Sequence, residues 1–451
     1  MKRIATGEAG FVGRSPLLSV TRKSTGPGKT ARLAARRLLP KYTSTLSGSF
    51  GLTASHSTHS ILASFLNPIF RTHHTAQLAA YAHSGDATHW SFLFFFVMPA
   101  LAMCAVKVPL PGKLFDSDFR MRLGSMFSEH HSIADLTIHP MRRRPGSRHV
   151  FSYKLLVADK RTGKHNVVEL VGKQDTTRAI GKAAKEFEAM RLLWGAGFGQ
   201  DNRFRIPQPL HHFEDLNLII QERARGSKLR TVLGDGSHTS FKHARMTGLW
   251  LAKLHSMPVT PTQVCAYEPE KASLRRFVEA LKTDQPQLEL ELRHYAAAVE
   301  QRFDGFKRVP ATLVHGDFHP DHIYVGNDFI TVIDFERFCV ADPARDLGSF
   351  VGHMRTTAYS IGKSIETVDQ EIVAFLESYF DGMSEDQGDA IGARIAPYAA
   401  LSSFEALYYV ASVLKVTTPA RIAMYMQCLR ESGVLPMEAS SAHTKARTVS
   451  I

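Results

Sequence analysis

Two aspartates, Asp317 and Asp334, have the sequence context that catalysis by a carboxylate would need. Asp317 follows the apolar run from 312 to 314, and Asp334 follows the apolar run from 330 to 333. Each run predicts a short strand, so we expect the two carboxylates at strand ends on either side of a hairpin, where they can converge on one site. Carboxylates so placed can bind a divalent cation and orient a hydroxyl, which is what phosphoryl transfer asks of a protein. Acids at strand ends are also common without such chemistry.

The residues around these aspartates are more specific than their spacing. The chain reads HGDFHPDHIYV from His315 and VIDFERFCVADPARDLG from Val332. These strings resemble the signature of the aminoglycoside phosphotransferase and choline kinase-like family, relatives of the protein kinases that phosphorylate small molecules. The resemblance spans about residues 130 to 430. It implies an α+β, two-lobed protein kinase-like fold, with a small antiparallel-sheet N-terminal lobe and a mainly helical C-terminal lobe.

The resemblance also implies roles for the two acids and for a lysine. Asp317 would be the catalytic base, and Asp334 would bind Mg²⁺. Lys173 would hold the phosphates of ATP, and Glu186 would pair with this lysine. Two simpler interpretations stay open from the residues alone: Lys173 as a solvated lysine at a strand end, and Glu186 as a surface ion-pair partner of neighbouring lysines.

Further residues would complete the site of such an enzyme. The segment 142–150, RRRPGSRHV, would cover the phosphates, and the adenine would lie beside a hinge with backbone groups as its contacts. The hinge residues are Gln221, Glu222 and Arg223. Four residues near the two aspartates are expected to support the site structurally: His315, His319, Asp342 and Asp346.

His322 departs from the family pattern. Asn is usual five residues after the catalytic Asp, where it binds the second metal ion, and this chain has His322 there. Imidazole prefers softer metals than Mg²⁺ but can coordinate or hydrogen-bond at such a position. We therefore assign His322 to the metal site together with Asp334, and keep as an alternative a pseudokinase-like nucleotide-binding or scaffold protein with an altered metal site.

The elements that must position these residues follow from local patterns. Alternating apolar residues at 149–158 and a second run at 167–174 predict a β-hairpin, and helical spacing predicts a helix over 178–194. The segment 216–223 predicts a strand. The C-terminal half favours helices, which are expected at 246–257, 272–302, 366–380 and 394–430.

The net charge of the chain is concentrated at one end. The 451 residues carry 55 Lys and Arg against 42 Asp and Glu, a formal +13, which by itself would suggest a nucleic acid or an anionic membrane as partner. Residues 1–115 hold 13 of the basic residues and 2 of the acids, for a net charge of +11. The remainder is nearly neutral. We therefore expect no nucleic acid partner for the catalytic domain, whose partners are a small-molecule hydroxyl substrate and ATP.

The chain divides into four predicted regions. Residues 1–115 form a basic, largely disordered leader with a short apolar segment at 91–106, a candidate for weak membrane association that is too short to span a bilayer. The nucleotide-binding lobe follows at 116–225, then the catalytic and substrate-binding lobe at 226–435 and a polar tail at 436–451. The catalytic domain is predicted to be cytoplasmic, whereas a targeting or anchoring role of the leader stays open.

Cysteine usage and the absence of metal-binding spacing exclude two further classes. The four cysteines, at 104, 265, 339 and 428, lack CxxC or zinc-ligand spacing, so neither a disulfide scaffold nor a zinc module is expected. A reducing compartment fits this pattern best.

The acceptor substrate is constrained only by charge. Between Lys363 and Arg394 there are eight acids and no basic residue. An acidic face on the cleft would favour a cationic acceptor such as an amino sugar or amino alcohol, whereas a solvated helix face would say nothing about the substrate. The leading hypothesis is an ATP- and Mg²⁺-dependent phosphotransferase acting on a hydroxyl of a small molecule, such as an amino sugar, a macrolide or an amino alcohol.

Overall fold

The computed structural model describes most of the chain beyond residue 116. The described residues are 117–142, 148–175, 182–259, 270–306 and 309–435. The predictions for the basic leader (1–115), its apolar segment (91–106), the polar tail (436–451) and the centre of the phosphate-covering turn (143–147) fall outside them. No helix among the described residues is long and apolar enough to cross a membrane.

The strands and helices of the described residues separate along the chain. The strands are β1 (His131–Arg142), β2 (His149–Asp159), β3 (His165–Gln174), β4 (Phe204–Arg205), β5 (Pro209–Phe213), β6 (Leu218–Glu222), β7 (Ser227–Lys228), β8 (Thr312–Val314), β9 (Ile323–Val325), β10 (Ile330–Val332) and β11 (Cys339–Ala341). The helices are α1 (Ser117–Gly124), α2 (Lys182–Leu193), α3 (His238–His255), α4 (Glu270–Asp284), α5 (Glu289–Gly305), α6 (Ala344–Ser360), α7 (Asp369–Phe380), α8 (Glu385–Tyr408) and α9 (Pro419–Arg430).

A five-stranded antiparallel sheet forms the N-terminal lobe, in the order β1-β2-β3-β6-β5. The predicted hairpin is confirmed, with β2 paired to β3 from His149 opposite Gln174 to Ala158 opposite His165. The alternating side chains Phe151, Tyr153, Leu155 and Val157 of β2 are all buried, because successive residues of a strand point to opposite faces. The sheet therefore has one apolar face against the lobe core.

Helix α2 confirms the helix predicted around Glu186. Its buried residues are Ala183, Glu186, Met190 and Leu193, which share one face at helical spacing. The helix ends in a π-turn from Trp194 to Phe198, where Gly197 has a φ of 108°. The glycine is suited to this conformation because it lacks a Cβ. The sequence thus places a carboxylate on the buried face of this helix.

The C-terminal lobe is mainly helical and surrounds the short strands that carry the aspartates. Two small sheets, β4-β10-β9-β7 and β11-β8, lie beside a core that contains Trp250, Phe318 and Phe350. The indole of Trp250 stacks on the Phe318 ring with centroids 5.8 Å apart. A lobe of strands followed by a lobe of helices confirms the expected two-lobed α+β architecture.

Two of the helical stretches predicted in the C-terminal lobe are interrupted. The stretch 272–302 contains α4 and α5, which are separated at Pro286, where the chain forms a turn of 3₁₀ helix. The stretch 394–430 contains the end of α8 and all of α9, and Pro419 is the first residue of α9. Proline lacks a backbone N–H and is well tolerated at the first position of a helix, so Pro286 begins the 3₁₀ turn and Pro419 begins α9, whereas Pro397 lies within α8.

Candidate active site

Lys173 and Glu186 form a buried ion pair in the N-terminal lobe. Lys173 lies on the central strand β3, opposite Val150 on one side and Ile219 on the other. Its Nζ donates to Glu186 Oε1 at 2.6 Å, and the Glu186 carboxylate is fully buried. Burial would lower the pKa of Lys173, but the charges of Asp334 and Glu186 raise it, so the lysine is held as a cation. The solvated-lysine and surface-pair interpretations of these residues are wrong.

The same lysine reaches the C-terminal lobe. Lys173 Nζ donates to Asp334 Oδ1 at 3.0 Å. Asp334 follows β10 and has a φ of 75°, a left-handed backbone conformation that is uncommon for a residue with a side chain. Burial would raise the pKa of Asp334, but the charge of Lys173 holds it well below its ordinary value. Asp334 is therefore ionised, and its carboxylate lies where the two lobes meet.

Arg148 is a member of the site that the sequence did not single out. Its Nε donates to Asp175 Oδ1 at 2.7 Å, and its Nη1 donates to Glu186 Oε2. The same Nη1 lies 3.4 Å from Glu336 Oε2 and 3.9 Å from Asp334 Oδ1. The register of the predicted hairpin could have indicated that Arg148 pairs with an acid. His149 lies opposite Gln174, so the preceding residue Arg148 lies beside Asp175.

The carboxylates of this cluster outnumber its cations. The two cations Lys173 and Arg148 face four carboxylates, which are Asp175, Glu186, Asp334 and Glu336. Burial and the charge of Asp334 raise the pKa of Glu336, while Arg148 opposes that shift. An excess of negative charge in a buried cluster favours the binding of a cation.

A sharp turn carries Asp317 out of strand β8. Gly316 has a φ of 79°, and a Cβ on it would lie 2.2 Å from the carbonyl oxygen of Arg337, so this position needs glycine. The buried carboxylate of Asp346 accepts from the backbone amides of His315 at 2.7 Å and Gly316 at 2.9 Å. His255 also bonds to Asp346, at 3.2 Å. The turn is thus held in place by Asp346, an acid that the sequence assigns to structural support.

His315 connects the turn of Asp317 to the strand before Asp334. Its Nδ1 accepts from the amide of Asp317 at 3.2 Å, and its Nε2 lies 3.0 Å from the carbonyl oxygen of Ile333, to which it donates. Burial lowers the pKa of His315, although the charge of Asp346 opposes this. A neutral imidazole with one donor and one acceptor satisfies both contacts. Its position agrees with a structural role.

The ring of His322 is oriented by the backbone of Asp317. Its Nδ1 lies 3.0 Å from the carbonyl oxygen of Asp317, and because a carbonyl can only accept, Nδ1 is the donor. In the neutral ring the lone pair is therefore on Nε2, which lies 3.4 Å from Asp334 Oδ2. A lone pair and a carboxylate oxygen at this separation fit a divalent cation bound to both. The donor set that the sequence predicts for a metal is therefore compatible with one.

His319 is close to the same groups but has the opposite tautomer. One ligand atom each of Asp317, His319 and His322 lies within 4.8 Å of the others, a spacing that a metal could bridge. However, His319 Nδ1 accepts from the amide of Asp321 at 3.2 Å, so its Nε2 carries the proton and points toward Asp317 Oδ2 at 4.0 Å. Burial lowers the pKa of His319 well below its ordinary value. His319 thus faces Asp317 as a neutral donor and not as a metal ligand.

The hinge residues lie at the end of β6, beside β3. Gln221 is buried opposite Val171, and the amide of Glu222 donates to the carbonyl of Gln208 at 2.9 Å. The amide of Arg223 donates to Glu169 at the longer distance of 3.3 Å. An adenine bound here would compete for the Arg223 amide, whereas the Glu222 amide is already committed to the sheet.

The remaining predicted residue, Asp342, holds the C-terminal lobe together. Its carboxylate accepts from the amide of Ala344 at 2.9 Å and pairs with Arg394. The first bond joins an Asp side chain to the amide two residues later, an Asx turn that satisfies the backbone donor of the first residue of α6. Asp342 is therefore placed in a structural position, as the sequence suggests.

Arg337 is a second neighbour of Asp317 that the sequence did not single out. Its Nη1 lies 4.0 Å from Asp317 Oδ1 and donates to Glu405 Oε1 of α8 at 2.8 Å. The eight acids between 363 and 394 do not form one face: Glu371 bonds to Ser240 and the amide of Gly234, and Asp369 pairs with Arg355. Glu405, which is bonded to Arg337, lies outside that acidic stretch.

Comparison with known proteins places this arrangement in a family. The model of the phosphotransferase enzyme family, APH, matches residues 155–385, which include Lys173, Glu186, Asp317 and Asp334. The chain belongs to this family. It is therefore a phosphotransferase, as its sequence motifs predict. No curated protein sequence matches the chain closely enough to indicate a relative.

Solved structures with similar folds share little sequence with the chain. Plasmodium vivax ethanolamine kinase is 14% identical, with 84% of this chain and 94% of that chain covered and a TM-score of 0.47. Macrolide 2'-phosphotransferase from Brachybacterium faecium is 16% identical, with 71% and 98% covered and a TM-score of 0.43. An amicoumacin kinase in complex with AMP-PNP and Ca²⁺ is 15% identical, with 72% and 96% covered and a TM-score of 0.48.

Proposed function

We propose that this protein is a kinase that transfers the γ-phosphoryl group of ATP, with a divalent cation, to a hydroxyl group of a small molecule. The observation that carries the proposal is a continuous line of contacts between four side chains, one from the N-terminal lobe and three from the C-terminal lobe. Lys173 Nζ lies 3.0 Å from Asp334, Asp334 lies 3.4 Å from His322, and His322 lies 3.8 Å from Asp317 Oδ2. Phosphoryl transfer needs a phosphate-holding cation, a metal-binding acid and a hydroxyl-orienting acid within one site.

Each group has a chemical task in this proposal. Lys173 is buried, cationic and oriented by Glu186, so it would hold phosphate oxygens of the nucleotide with little reorganisation. Asp317 would accept a hydrogen bond from the acceptor hydroxyl and take its proton as the phosphoryl group is transferred. His319 and Arg337 flank that carboxylate on its two oxygens and would fix its orientation. Asp334 and His322 would hold the cation, which would neutralise negative charge on the phosphate oxygens.

The acceptor we propose is an amino sugar, a macrolide or an amino alcohol. Glu405 supports a cationic group on the acceptor, because its carboxylate is partly exposed and is bonded to Arg337 next to Asp317. An ammonium group near the reacting hydroxyl could pair with Glu405. The acidic stretch between 363 and 394 offers less support, since Asp369 and Glu371 have structural partners.

A test of the proposal is ADP release measured with a panel of acceptors. The panel contains amino sugars, macrolides, choline-like alcohols and simple sugars, and at least one of them should be phosphorylated. Asp317→Asn should lower kcat about 100-fold or more, because it removes the proton acceptor while nucleotide binding is retained. Asp321→Asn is the matched control in the same turn, since Asp321 pairs with Arg230 and Lys228 instead. Turnover of Asp317→Asn at the wild-type rate would refute the role of Asp317.

The pseudokinase alternative is separated by thermal unfolding in the presence of ATP. An active kinase should be stabilised by ATP more strongly when a divalent cation is present, because the cation and the nucleotide bind as a complex. A scaffold that has lost the metal site should show no stabilisation, or a stabilisation that is the same with and without the cation.

A further inference from the structure

We infer that His322 makes this site select transition-metal dications such as Mn²⁺ over Mg²⁺. This inference rests on the proposed function, since it specifies the cation of the same site. It concerns the identity of the metal and follows from which ring nitrogen of His322 faces Asp334.

The first observation is which ring nitrogen faces Asp334. His322 Nδ1 donates to the carbonyl oxygen of Asp317, so Nε2 is the nitrogen that faces Asp334 Oδ2, at 3.4 Å. The other oxygen of Asp334, Oδ1, accepts from Lys173. A cation beside Asp334 Oδ2 would therefore meet an imidazole nitrogen as well as a carboxylate oxygen.

The second observation is that the ring is held as metal-binding histidines are held. A histidine that coordinates through one nitrogen usually donates its other N–H to a backbone carbonyl or a carboxylate, which fixes the ring and raises its basicity. The Asp317 carbonyl supplies that contact for His322. The ring of His319 lies against the ring of His322 with centroids 3.7 Å apart, and His353 stacks on the far side of His319 at 4.8 Å. The imidazole is thus oriented before any cation arrives.

The third observation is that the same ring nitrogen faces a carboxylate oxygen. Nε2 of His322 and Oδ2 of Asp334 lie 3.4 Å apart in a largely buried site. A dication held by both atoms would account for this contact, and a proton on Nε2 would account for it as well; the experiment below separates the two.

The choice among cations follows from the imidazole. Mg²⁺ is a hard ion that prefers six oxygen ligands, whereas affinity for nitrogen ligands rises along the first transition series from Mn²⁺. An Asn at position 322 would offer an amide oxygen and suit Mg²⁺. His322 should therefore weaken Mg²⁺ relative to Mn²⁺, Co²⁺ and Zn²⁺ at this position.

The experiment measures binding without using turnover. The full chain is titrated with Mn²⁺ alone and with Mn²⁺ plus AMP-PNP, and the bound ion is examined by electron spin echo spectroscopy. A coupling to an imidazole nitrogen is expected in the wild type and should be absent in His322→Asn. The Mn²⁺ to Mg²⁺ affinity ratio, obtained by competition, should fall about tenfold or more in His322→Asn. Circular dichroism confirms that each variant is folded, and His322→Gln serves as a second variant at this position.

A matched control variant tests whether the effect on metal binding is specific to His322. His353→Asn removes a histidine of the same stack that bonds to Ser349 and Ser402, so it should retain the nitrogen coupling and the Mn²⁺ preference.

Absence of Mn²⁺ binding, or bound Mn²⁺ without nitrogen coupling in the wild type, overturns the inference and leaves a protonated His322 as the explanation of the contact. An unchanged metal ratio in His322→Asn overturns it too. Nitrogen coupling in a protein that phosphorylates no acceptor would contradict the proposed function and leave this inference standing.

Discussion

Lys173 Nζ lies 3.0 Å from Asp334 Oδ1, although 161 residues separate the two along the chain. The contact joins the central strand of the N-terminal sheet to the end of β10 in the C-terminal lobe. Glu186 holds the same ammonium group from within the N-terminal lobe at 2.6 Å. The position of Lys173 is therefore set by both lobes, and changes to either partner should affect stability as well as catalysis.

Glu186→Gln should destabilise the protein by about 1.5–3 kcal/mol, because Lys173 and Arg148 each lose a charge-assisted hydrogen bond to a fully buried carboxylate while they keep Asp334 and Asp175 as partners. The KM for ATP should rise with it, since Lys173 loses its orienting partner. Urea unfolding and nucleotide titration check the two effects. Glu188→Gln is the control on the same helix: Glu188 is exposed and pairs with Arg191, so its loss should cost less than about 1 kcal/mol. Equal costs for the two substitutions would contradict the buried pairing.

Arg148 and Asp175 should show strong energetic coupling. Two hydrogen bonds join their side chains, at 2.7 and 3.2 Å, in a place where little of either side chain is exposed. A double-mutant cycle of Arg148→Met and Asp175→Asn, followed by urea unfolding, should give a coupling of about 1–3 kcal/mol. The same cycle on the exposed pair Arg191 and Glu188 should give less than about 0.5 kcal/mol. Additive effects at Arg148 and Asp175 would mean that the interaction between these two side chains does not stabilise the protein.

Gly316→Ala should lower kcat strongly, whereas Gly362→Ala should leave it near the wild-type value. Both glycines have similar φ values, 79° and 77°, so each alanine should cost about 1–2 kcal/mol of backbone energy. Only at Gly316 would the added Cβ clash, 2.2 Å from the carbonyl oxygen of Arg337, while nothing lies within 4 Å at Gly362. The clash would displace Asp317, the next residue. Comparison of kcat and of unfolding free energy for the two variants separates the clash from the backbone cost, and equal kcat values would refute this account of the turn.

Asp369 should make stability depend on pH between about 4 and 6. Burial raises the pKa of Asp369 from 3.8 to about 6, although the charge of Arg355 opposes this. The folded protein therefore holds this proton more tightly than the unfolded chain does. The resulting stabilisation is complete below the unfolded pKa and is lost as the pH rises through about 6.

Asp369→Asn should remove that dependence. The difference in unfolding free energy between variant and wild type should shift in favour of the variant as the pH rises from about 4 to about 7, because the asparagine never acquires the buried charge. Urea unfolding at several pH values measures this difference, in which the other titrating groups cancel. A difference that stays constant over this pH range would show that Asp369 has no raised pKa.

The sequence alone determined the elements whose signals are local. The hairpin of β2 and β3, the helix bearing Glu186 and the short strands before Asp317 and Asp334 follow from side-chain alternation and helical spacing within windows of a few residues. The family resemblance added the roles of the two aspartates and of Lys173. Strand β1 (His131–Arg142) was missed, because it is an edge strand with irregular pairing and few buried side chains, so its alternation is weak.

Only the tertiary structure decided which charged side chains are in contact and which ring nitrogen of each histidine is a hydrogen-bond donor. Arg148 lies within a segment read as a phosphate-covering turn, and its contacts with Glu186 and Glu336 depend on packing between distant elements. The tautomer of His322 depends on a carbonyl oxygen of Asp317, and that of His319 on the amide of Asp321. The residue types in a sequence define which hydrogen bonds and ion pairs can form, but the low dielectric and fixed geometry of the folded interior select among them.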